Sequence, residues 1–174
     1  RDQVDGNFAW LTYAANYLFS FKGFRWALDP FSLSYRVGGV PVPDYRQDLT
    51  GISLIVLTHA HNDHLDMSLV KALADTPVQW VIPHYVLEKI ETELKLPREQ
   101  VIVPRAGEEI ELGPLRLLPF ESLHMNGVHG VPETGYLVKF DDQRWLFPGD
   151  IRSYDFDRLP PFGRLDGVVA HLWL

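Results

Sequence analysis

A motif rich in histidine and aspartate follows an apolar, strand-like stretch of this chain. The motif is His59-Ala60-His61-Asn62-Asp63-His64, directly after the apolar residues 52–58. Side chains alternate between two faces in an extended chain, so His59 and His61 are expected to converge on one metal ion. Asp63 and His64, on the following turn, can then reach a second ion. Imidazole and carboxylate are common ligands of zinc-like ions, so the motif predicts a metal site at the end of a buried strand.

Three further polar residues lie at or inside strand-like segments. His124 follows residues 115–123, Asp150 follows residues 144–147 in Pro148-Gly149-Asp150, and His171 interrupts the apolar residues 167–174. Strand ends are where an α/β sheet usually places its functional site. Each residue by itself also has a structural reading, as a turn aspartate or a hydrogen-bonded core histidine. Only their combination with the first motif favours a larger metal centre.

Composition limits the class of protein. The 174 residues are 46% hydrophobic and 13% aromatic, which predicts one packed domain over residues 1–174. The sequence has no cysteine, so histidine, aspartate, glutamate and the backbone are the available metal ligands. It also has no long apolar run or signal peptide, and we expect a soluble, cytoplasmic protein without membrane contact. The net charge of −7 argues against nucleic acid and favours a small-molecule substrate, while the oligomeric state is left open.

The remaining sequence predicts the elements that position these residues. The stretches 8–21 and 24–28 are rich in aromatic and β-branched residues. They predict a β-hairpin that ends at Asp29-Pro30. Residues 31–50 form a long irregular segment that we interpret as a lid. Asp66 is expected to cap a helix that ends before Pro77, followed by strand 78–82, helix 83–96 and strand 101–103. The rest predicts strands, at residues 108–112, 115–123, 136–140, 145–147 and 167–174. The sequence opens without an initiator Met and ends inside an apolar run, so we expect a fragment.

The order of these segments resembles the metallo-β-lactamase superfamily of metallo-hydrolases. The resemblance rests on the hairpin ending near Asp29-Pro30, on the motif at residues 59–64, on His124 and on Gly149-Asp150. It implies an α/β fold, the αβ/βα four-layer sandwich of that superfamily, with a dinuclear site between its two sheets. By this likeness the first ion has the ligands His59, His61 and His124. The second has Asp63 and His64, and Asp150 bridges the two.

The implied chemistry is hydrolysis by a metal-bound hydroxide held between two ions, with Zn²⁺ expected and Mn²⁺ or Fe as the other choices. Asp63 has a second expected role as a catalytic residue that orients the nucleophile or passes its proton to the leaving group. His129 is a rival to His124 as the third ligand. His171 is interpreted as a residue that supports a ligand, with a role as a ligand itself as the alternative. The lack of cysteine disfavours β-lactam hydrolysis. The alternatives are a phosphodiesterase or nuclease of the same superfamily, and a metal-binding scaffold without turnover.

Overall fold

The computed structural model describes residues 6–12, 15–32, 38–125, 130–151 and 156–170. Two β-sheets face each other in it. The first has six strands in sequence order: β1 (Phe8–Leu11), β2 (Tyr17–Phe21), β3 (Phe24–Leu28), β4 (Leu54–Val56), β5 (Gln79–Val81) and β6 (Val101–Ile102). The second has the order β11-β10-β9-β8-β7: β7 (Ile110–Leu112), β8 (Leu115–Glu121), β9 (Thr134–Phe140), β10 (Gln143–Phe147) and β11 (Gly167–Val168).

Strand direction determines which residues meet at one edge of the molecule. Strands β1 to β3 form an antiparallel meander, whereas β3, β4, β5 and β6 are mutually parallel. In the second sheet, β8 and β10 both run antiparallel to β9, and therefore parallel to each other in direction. The start of β9 lies beside the end of β8, since Thr134 pairs with Glu121. The backbone N–H of Thr134 donates to the carbonyl of Thr58 at 3.1 Å, so this edge also joins the two sheets.

Burial alternates along the central strands because each face of the first sheet has a different partner. Ile55 and Trp80 face the helices α1 (Tyr45–Asp48), α2 (Met67–Leu73) and α3 (His84–Glu91). Leu54 and Val56 instead face the second sheet, where they pack with residues such as Tyr136. Burying one such aliphatic side chain contributes roughly 1.5–3 kcal/mol. The strand that leads into the histidine motif is therefore fixed from both sides.

The outer face of the second sheet carries a smaller cluster. Phe120, Leu137 and Leu146 are buried there beneath partly buried residues of the segment 156–165. In the ranges that the structure describes, this cover contains a short 3-10 helix (Phe156–Arg158) and no α-helix. The fourth layer of the expected sandwich is thus a mostly irregular segment within those ranges.

Several predicted boundaries are wrong. Residues 8–21 form two strands, β1 and β2, so the N-terminal region is a three-stranded meander and not a hairpin. The helix expected over 83–96 ends at Glu91. The long segment 31–50 is not wholly irregular, because α1 lies inside it with Asp44 as its capping residue. Asp66 caps α2 as predicted, accepting hydrogen bonds from two backbone N–H groups of its first turn. Residues 33–37 and 171–174 lie outside the described part.

Candidate metal centre

The site forms where strands of both sheets end at the same edge. Asp29 directly follows β3, and His59 follows β4 by three residues. Because β3 and β4 are parallel, their carboxyl ends bring these residues together. From the second sheet, His124 comes three residues after β8 and Asp150 three residues after β10. The sequence predicted that His124 directly ends a strand. This is wrong, because β8 ends at Glu121.

Three imidazole rings converge at this edge. His59 Nε2 lies 2.9 Å from His61 Nδ1, and His124 Nε2 lies 3.1 Å from the same atom. The ligand atoms of the three rings all lie within 4.8 Å of one another. His59 and His124 are fully buried, whereas His61 is partly exposed on the open side. His59 and His61 therefore direct their rings to the same side of the chain, as their spacing predicts.

A second group of ligand atoms joins Asp29, His59 and His64. His64 Nδ1 lies 2.8 Å from Asp29 Oδ2, and His64 Nε2 lies 3.5 Å from Asp150 Oδ2. Asp29 also accepts hydrogen bonds from the backbone N–H of Thr58 at 2.8 Å and from its hydroxyl at 2.5 Å. The Asp29 carboxylate thereby connects the end of β3 to Thr58, directly before the histidine motif, and to His64 at the end of the motif.

The ring nitrogen of His59 that faces away from the cluster has oxygen partners. His59 Nδ1 lies 2.9 Å from Glu133 Oε1 and 2.9 Å from Thr58 Oγ1. The Thr58 hydroxyl already donates to Asp29, so its oxygen can accept the Nδ1 proton. These contacts place the ring proton on Nδ1 and leave the Nε2 lone pair directed at the cluster. A carboxylate on the far nitrogen is a usual way for proteins to orient a metal-binding histidine.

Burial sets the protonation of the three-histidine cluster. Desolvation, aided by the positive charge of nearby His64, lowers the pKa of His59 to about 3. Burial likewise lowers the pKa of His124. Both rings are therefore neutral near pH 7, which is the form that binds a metal ion.

His64 has the opposite electrostatics. Burial by itself lowers the pKa of His64, but hydrogen bonds and charges from Asp150 and Asp29 outweigh it and raise the value to about 10. A protonated ring between two carboxylates is the expected state without an ion. Since a metal needs the Nε2 lone pair, binding at this position must displace the proton shared with Asp150.

The donor set fits a transition-metal ion. Three imidazoles direct ring nitrogens at one another, and the two buried ones, His59 and His124, are in the neutral form that binds a metal ion. His124 Nδ1 is buried and has no hydrogen-bond partner among the residues that the structure describes. Nitrogen ligands of this kind suit Zn²⁺ and also Fe, Ni or Cu, whereas Ca²⁺ and Mg²⁺ prefer oxygen.

The structure brings together some of the predicted ligands more closely than others. His59, His61, His64, His124 and Asp150 lie at one edge, in contact with one another. Asp63 is on the same turn, and its backbone carbonyl accepts a hydrogen bond from Asn16 Nδ2 at 2.8 Å. Asp63 is in neither compact group of ligand atoms, so its expected roles stay predictions. The rival ligand His129 and the supporting residue His171 both lie outside the described residues.

Sequence reasoning missed the residues that surround the ligands. Asp29 was taken only as a strand terminator, and Glu133 only as part of a loop. The signal for Asp29 was its position at the end of a strand that pairs in parallel with β4. Glu133 precedes β9, an antiparallel neighbour of β8, so its place at the shared edge depends on sheet pairing that the sequence does not give. Asn16, fully buried, donates to the carbonyls of both Asp29 and Asp63.

The described residues line two cavities, one of which adjoins neighbours of the proposed ligands. One of about 570 Å³ is lined by Glu133, Thr134 and Tyr85 together with the exposed Met125, which follows His124. The other, of about 360 Å³, is lined mainly by apolar residues of the 31–50 segment. Its polar rim includes Tyr45, whose hydroxyl donates to the α2 cap Asp66. The described part of the predicted lid therefore contacts the helix that follows the histidine motif.

Comparisons with known proteins agree with this geometry. The profile of the beta-lactamase superfamily domain matches residues 28–172. A metal-dependent hydrolase of Sulfurisphaera tokodaii is 27% identical over 170 residues, covering 89% of this chain and 71% of its own. Among solved structures, a metallo hydrolase of Ignicoccus hospitalis has a TM-score of 0.62 at 17% identity over 85% of this chain. The diiron β-hydroxylase CmlA of Streptomyces venezuelae has a TM-score of 0.65 at 16% identity over 97% of this chain.

The chain belongs to the beta-lactamase superfamily, since the matched profile spans most of its length. The predicted resemblance and fold class are thereby confirmed, and metal-dependent hydrolase is the class that the comparisons support. The chain spans 62% of the Ignicoccus structure and 35% of CmlA. Among the described residues, no helix is both long enough and apolar enough to cross a membrane. The cytoplasmic location stays a prediction.

Proposed function

We propose that this protein hydrolyses a small-molecule substrate at a dinuclear metal centre, with Zn²⁺ as the expected ion. The observation that carries the proposal is the convergence of His59 Nε2, His61 Nδ1 and His124 Nε2 on one point. The neutral state of His59 and His124 supports it, because a neutral imidazole can offer a ring-nitrogen lone pair to a metal ion. Membership of the superfamily makes hydrolysis the first reaction class to test.

The residues would share the ions as follows. The three-histidine cluster would hold the first ion, and His64 with Asp63 would hold the second. Asp150 would serve both, since it comes from the second sheet and already faces His64. When bound, such a pair of ions activates water and stabilises negative charge on the attacked group.

The chain's own residues supply orientation and proton transfer. Glu133 and Thr58 hold the His59 ring with its Nδ1–H pointing away from the centre. Asp29 does the same for His64. The Asp63 carboxylate, on the turn between them, would move a proton to the leaving group. This leaves no role for a serine or lysine nucleophile.

The substrate of this centre can belong to one of several chemical classes. Ester, lactone, amide and phosphodiester bonds are all open to attack at such a centre. The cavity beside Met125 and Glu133 and the apolar one beside the 31–50 segment would receive the parts of the substrate that do not react. Shortening the lid between Gly38 and Asp44 should then change KM or substrate preference more than stability.

The test begins with metal content. We expect about two transition-metal ions per chain after loading, measured by elemental analysis. The loaded protein is then assayed against matched ester, lactone, amide and phosphodiester substrates. Turnover of only the phosphodiester would establish the phosphodiesterase alternative. Two bound ions without turnover of any substrate would favour the scaffold, and a metal content near zero would refute the proposal.

A further inference from the structure

Glu133 connects residues that belong to different halves of the metal centre. It lies immediately before β9 and is 3% exposed. Its Oε1 is 2.9 Å from His59 Nδ1, while its two carboxylate oxygens lie 2.9 and 3.1 Å from the backbone N of Asp150. His59 comes from the first sheet and Asp150 from the second. One side chain thus joins a ligand of the first ion to the residue that serves both.

The turn that carries Asp150 is shaped around this carboxylate. Gly149 has a φ of +75°, a conformation that favours glycine. A Cβ atom at this position would lie 2.3 to 2.6 Å from the Glu133 carboxylate group. A larger residue at 149 would therefore displace Glu133 or the turn. Ser122, whose hydroxyl donates to the carbonyl of Pro148 at 2.6 Å, holds the same turn.

The buried position of Glu133 calls for an explanation, because an isolated buried carboxylate is costly. The donors that offset this cost include the ring of one proposed ligand and the backbone of another. A carboxylate on the far ring nitrogen fixes the tautomer of a ligand histidine and increases its basicity. A carboxylate on a backbone N–H instead fixes the turn from which the Asp150 side chain extends.

We propose that Glu133 is a positioning residue that couples the two ion sites, by orienting the His59 ring and anchoring the Asp150 turn with one carboxylate. The inference rests on the proposed function, since it takes His59 and Asp150 as metal ligands. It extends that function by assigning a residue outside the ligand set. Loss of Glu133 should weaken both ions together, because the ligands of both lose their support.

The test uses metal affinity and not activity alone. Glu133→Ala, Glu133→Gln and the control Glu121→Gln are stripped of metal, and Zn²⁺ affinity is measured by competition with a chromophoric chelator. Glu121 is a suitable control, because it is exposed at the end of β8 and lines the same cavity. Cobalt absorption spectra report ligand geometry, and urea unfolding of the metal-free proteins reports stability.

We expect Glu133→Ala to lose about 10- to 100-fold in Zn²⁺ affinity, the range for partners of metal ligands. Glu133→Gln should lose less Zn²⁺ affinity, since its amide oxygen can still accept a hydrogen bond from His59. Some loss is expected, because its NH₂ group cannot accept a hydrogen bond from the Asp150 N–H. The cobalt spectrum should change in both, and Glu121→Gln should match the wild type. If Glu133→Ala does not fold, the glutamine variant carries the comparison.

Wild-type affinity and an unchanged cobalt spectrum in the Glu133 variants would overturn the inference, even if their stability falls. That result would make Glu133 structural and leave the proposed function intact. A wild-type protein that takes up no ion would instead overturn the proposed function, and this inference with it. A wild type that binds ions without hydrolysis still permits the affinity comparison, so the two failures are distinguishable.

Discussion

His59 and His64 belong to one short motif and are equally buried, yet they have opposite protonation. The two rings lie 4.0 Å apart between centroids and are 0% and 2% exposed. The pKa of His59 is lowered to about 3, whereas that of His64 is raised to about 10. Burial lowers the pKa of both. The difference comes from the neighbours: the carboxylates of Asp29 and Asp150 raise the pKa of His64. His59 contacts one carboxylate, that of Glu133, and the positive charge of His64 lowers its pKa further.

This contrast gives the two halves of the motif different properties toward the two proposed ions. The His59 side is an all-nitrogen cluster whose two buried rings, His59 and His124, are neutral and can bind an ion. The His64 side is a carboxylate-rich cluster whose proton occupies the place that an ion would take. We therefore expect the first site to bind metal more readily than the second, and the second to depend more strongly on pH.

The largest effect is expected where the two sides meet. Asp150→Ala should lower kcat by about 10³-fold or more, because the variant loses the carboxylate that serves both proposed ions. The matched control is Asp142→Ala, an exposed aspartate in the turn between β9 and β10. Steady-state kinetics on the substrate found in the assay panel measure both. Equal kcat in the two variants would mean that Asp150 is only a turn residue.

Separating the two sides requires removal of a ligand from one of them. His61→Ala should reduce the metal content from two ions to one and lower Zn²⁺ affinity at the first site by more than about 100-fold, beyond the loss typical of a supporting residue. The His64 side should retain its ion, because His61 is not among the residues proposed to hold the second ion, which are Asp63, His64 and Asp150. Elemental analysis with chelator competition measures this, and loss of both ions would show that the sides are not independent.

The two pKa shifts predict a stability optimum for the metal-free protein. His64 is protonated in the folded state up to about pH 10. Its contribution to stability is complete below the unfolded pKa near 6.5 and is lost as the pH rises to about 10. His59 stays neutral down to about pH 3, so its folded state binds fewer protons than the unfolded chain. Its contribution is lost as the pH falls from about 6.5 towards 3.

Urea unfolding across this pH range should therefore give an optimum near pH 6.5, each limb changing by up to about 5 kcal/mol, since one pKa unit corresponds to about 1.4 kcal/mol. Asp29→Asn should reduce the alkaline limb relative to wild type, because it removes one carboxylate from His64. NMR titration of the two rings measures the pKa values directly. A His64 ring that titrates near 6.5 would remove the contrast on which this expectation rests.

The smallest effect concerns the backbone that holds both sides in register. Asn16→Ala should lower the free energy of unfolding by about 1–3 kcal/mol, because the buried carbonyls of Asp29 and Asp63 lose their donor. Asn62→Ala, at an exposed position inside the motif, is the control and should be near neutral. Urea denaturation compares them. A stability loss without a change in metal affinity would limit Asn16 to a structural role.

Patterns among residues close in sequence predicted most of the strands and helices, but they predicted the boundaries of these elements less well. The apolar run before His59, the Asp66 cap and the turns after Leu112 and Phe140 were all readable, because each depends on neighbours in sequence. The break between β1 and β2 was not, since aromatic residues run through it without a strong turn signal. Strand ends also depend on the length of the pairing strand, which explains why β4 and β8 end earlier than their apolar runs.

The sequence by itself determined the family, the presence of a histidine-rich centre and the order of its candidate ligands, because these follow from residue types at fixed spacing. The tertiary structure alone decided which groups surround them. Asp29, Asn16 and Glu133 reach the centre through parallel pairing of β3 with β4 and antiparallel pairing of β8 with β9. It also decided that His59 is neutral and His64 charged, since a pKa depends on burial and on charges that are distant in sequence.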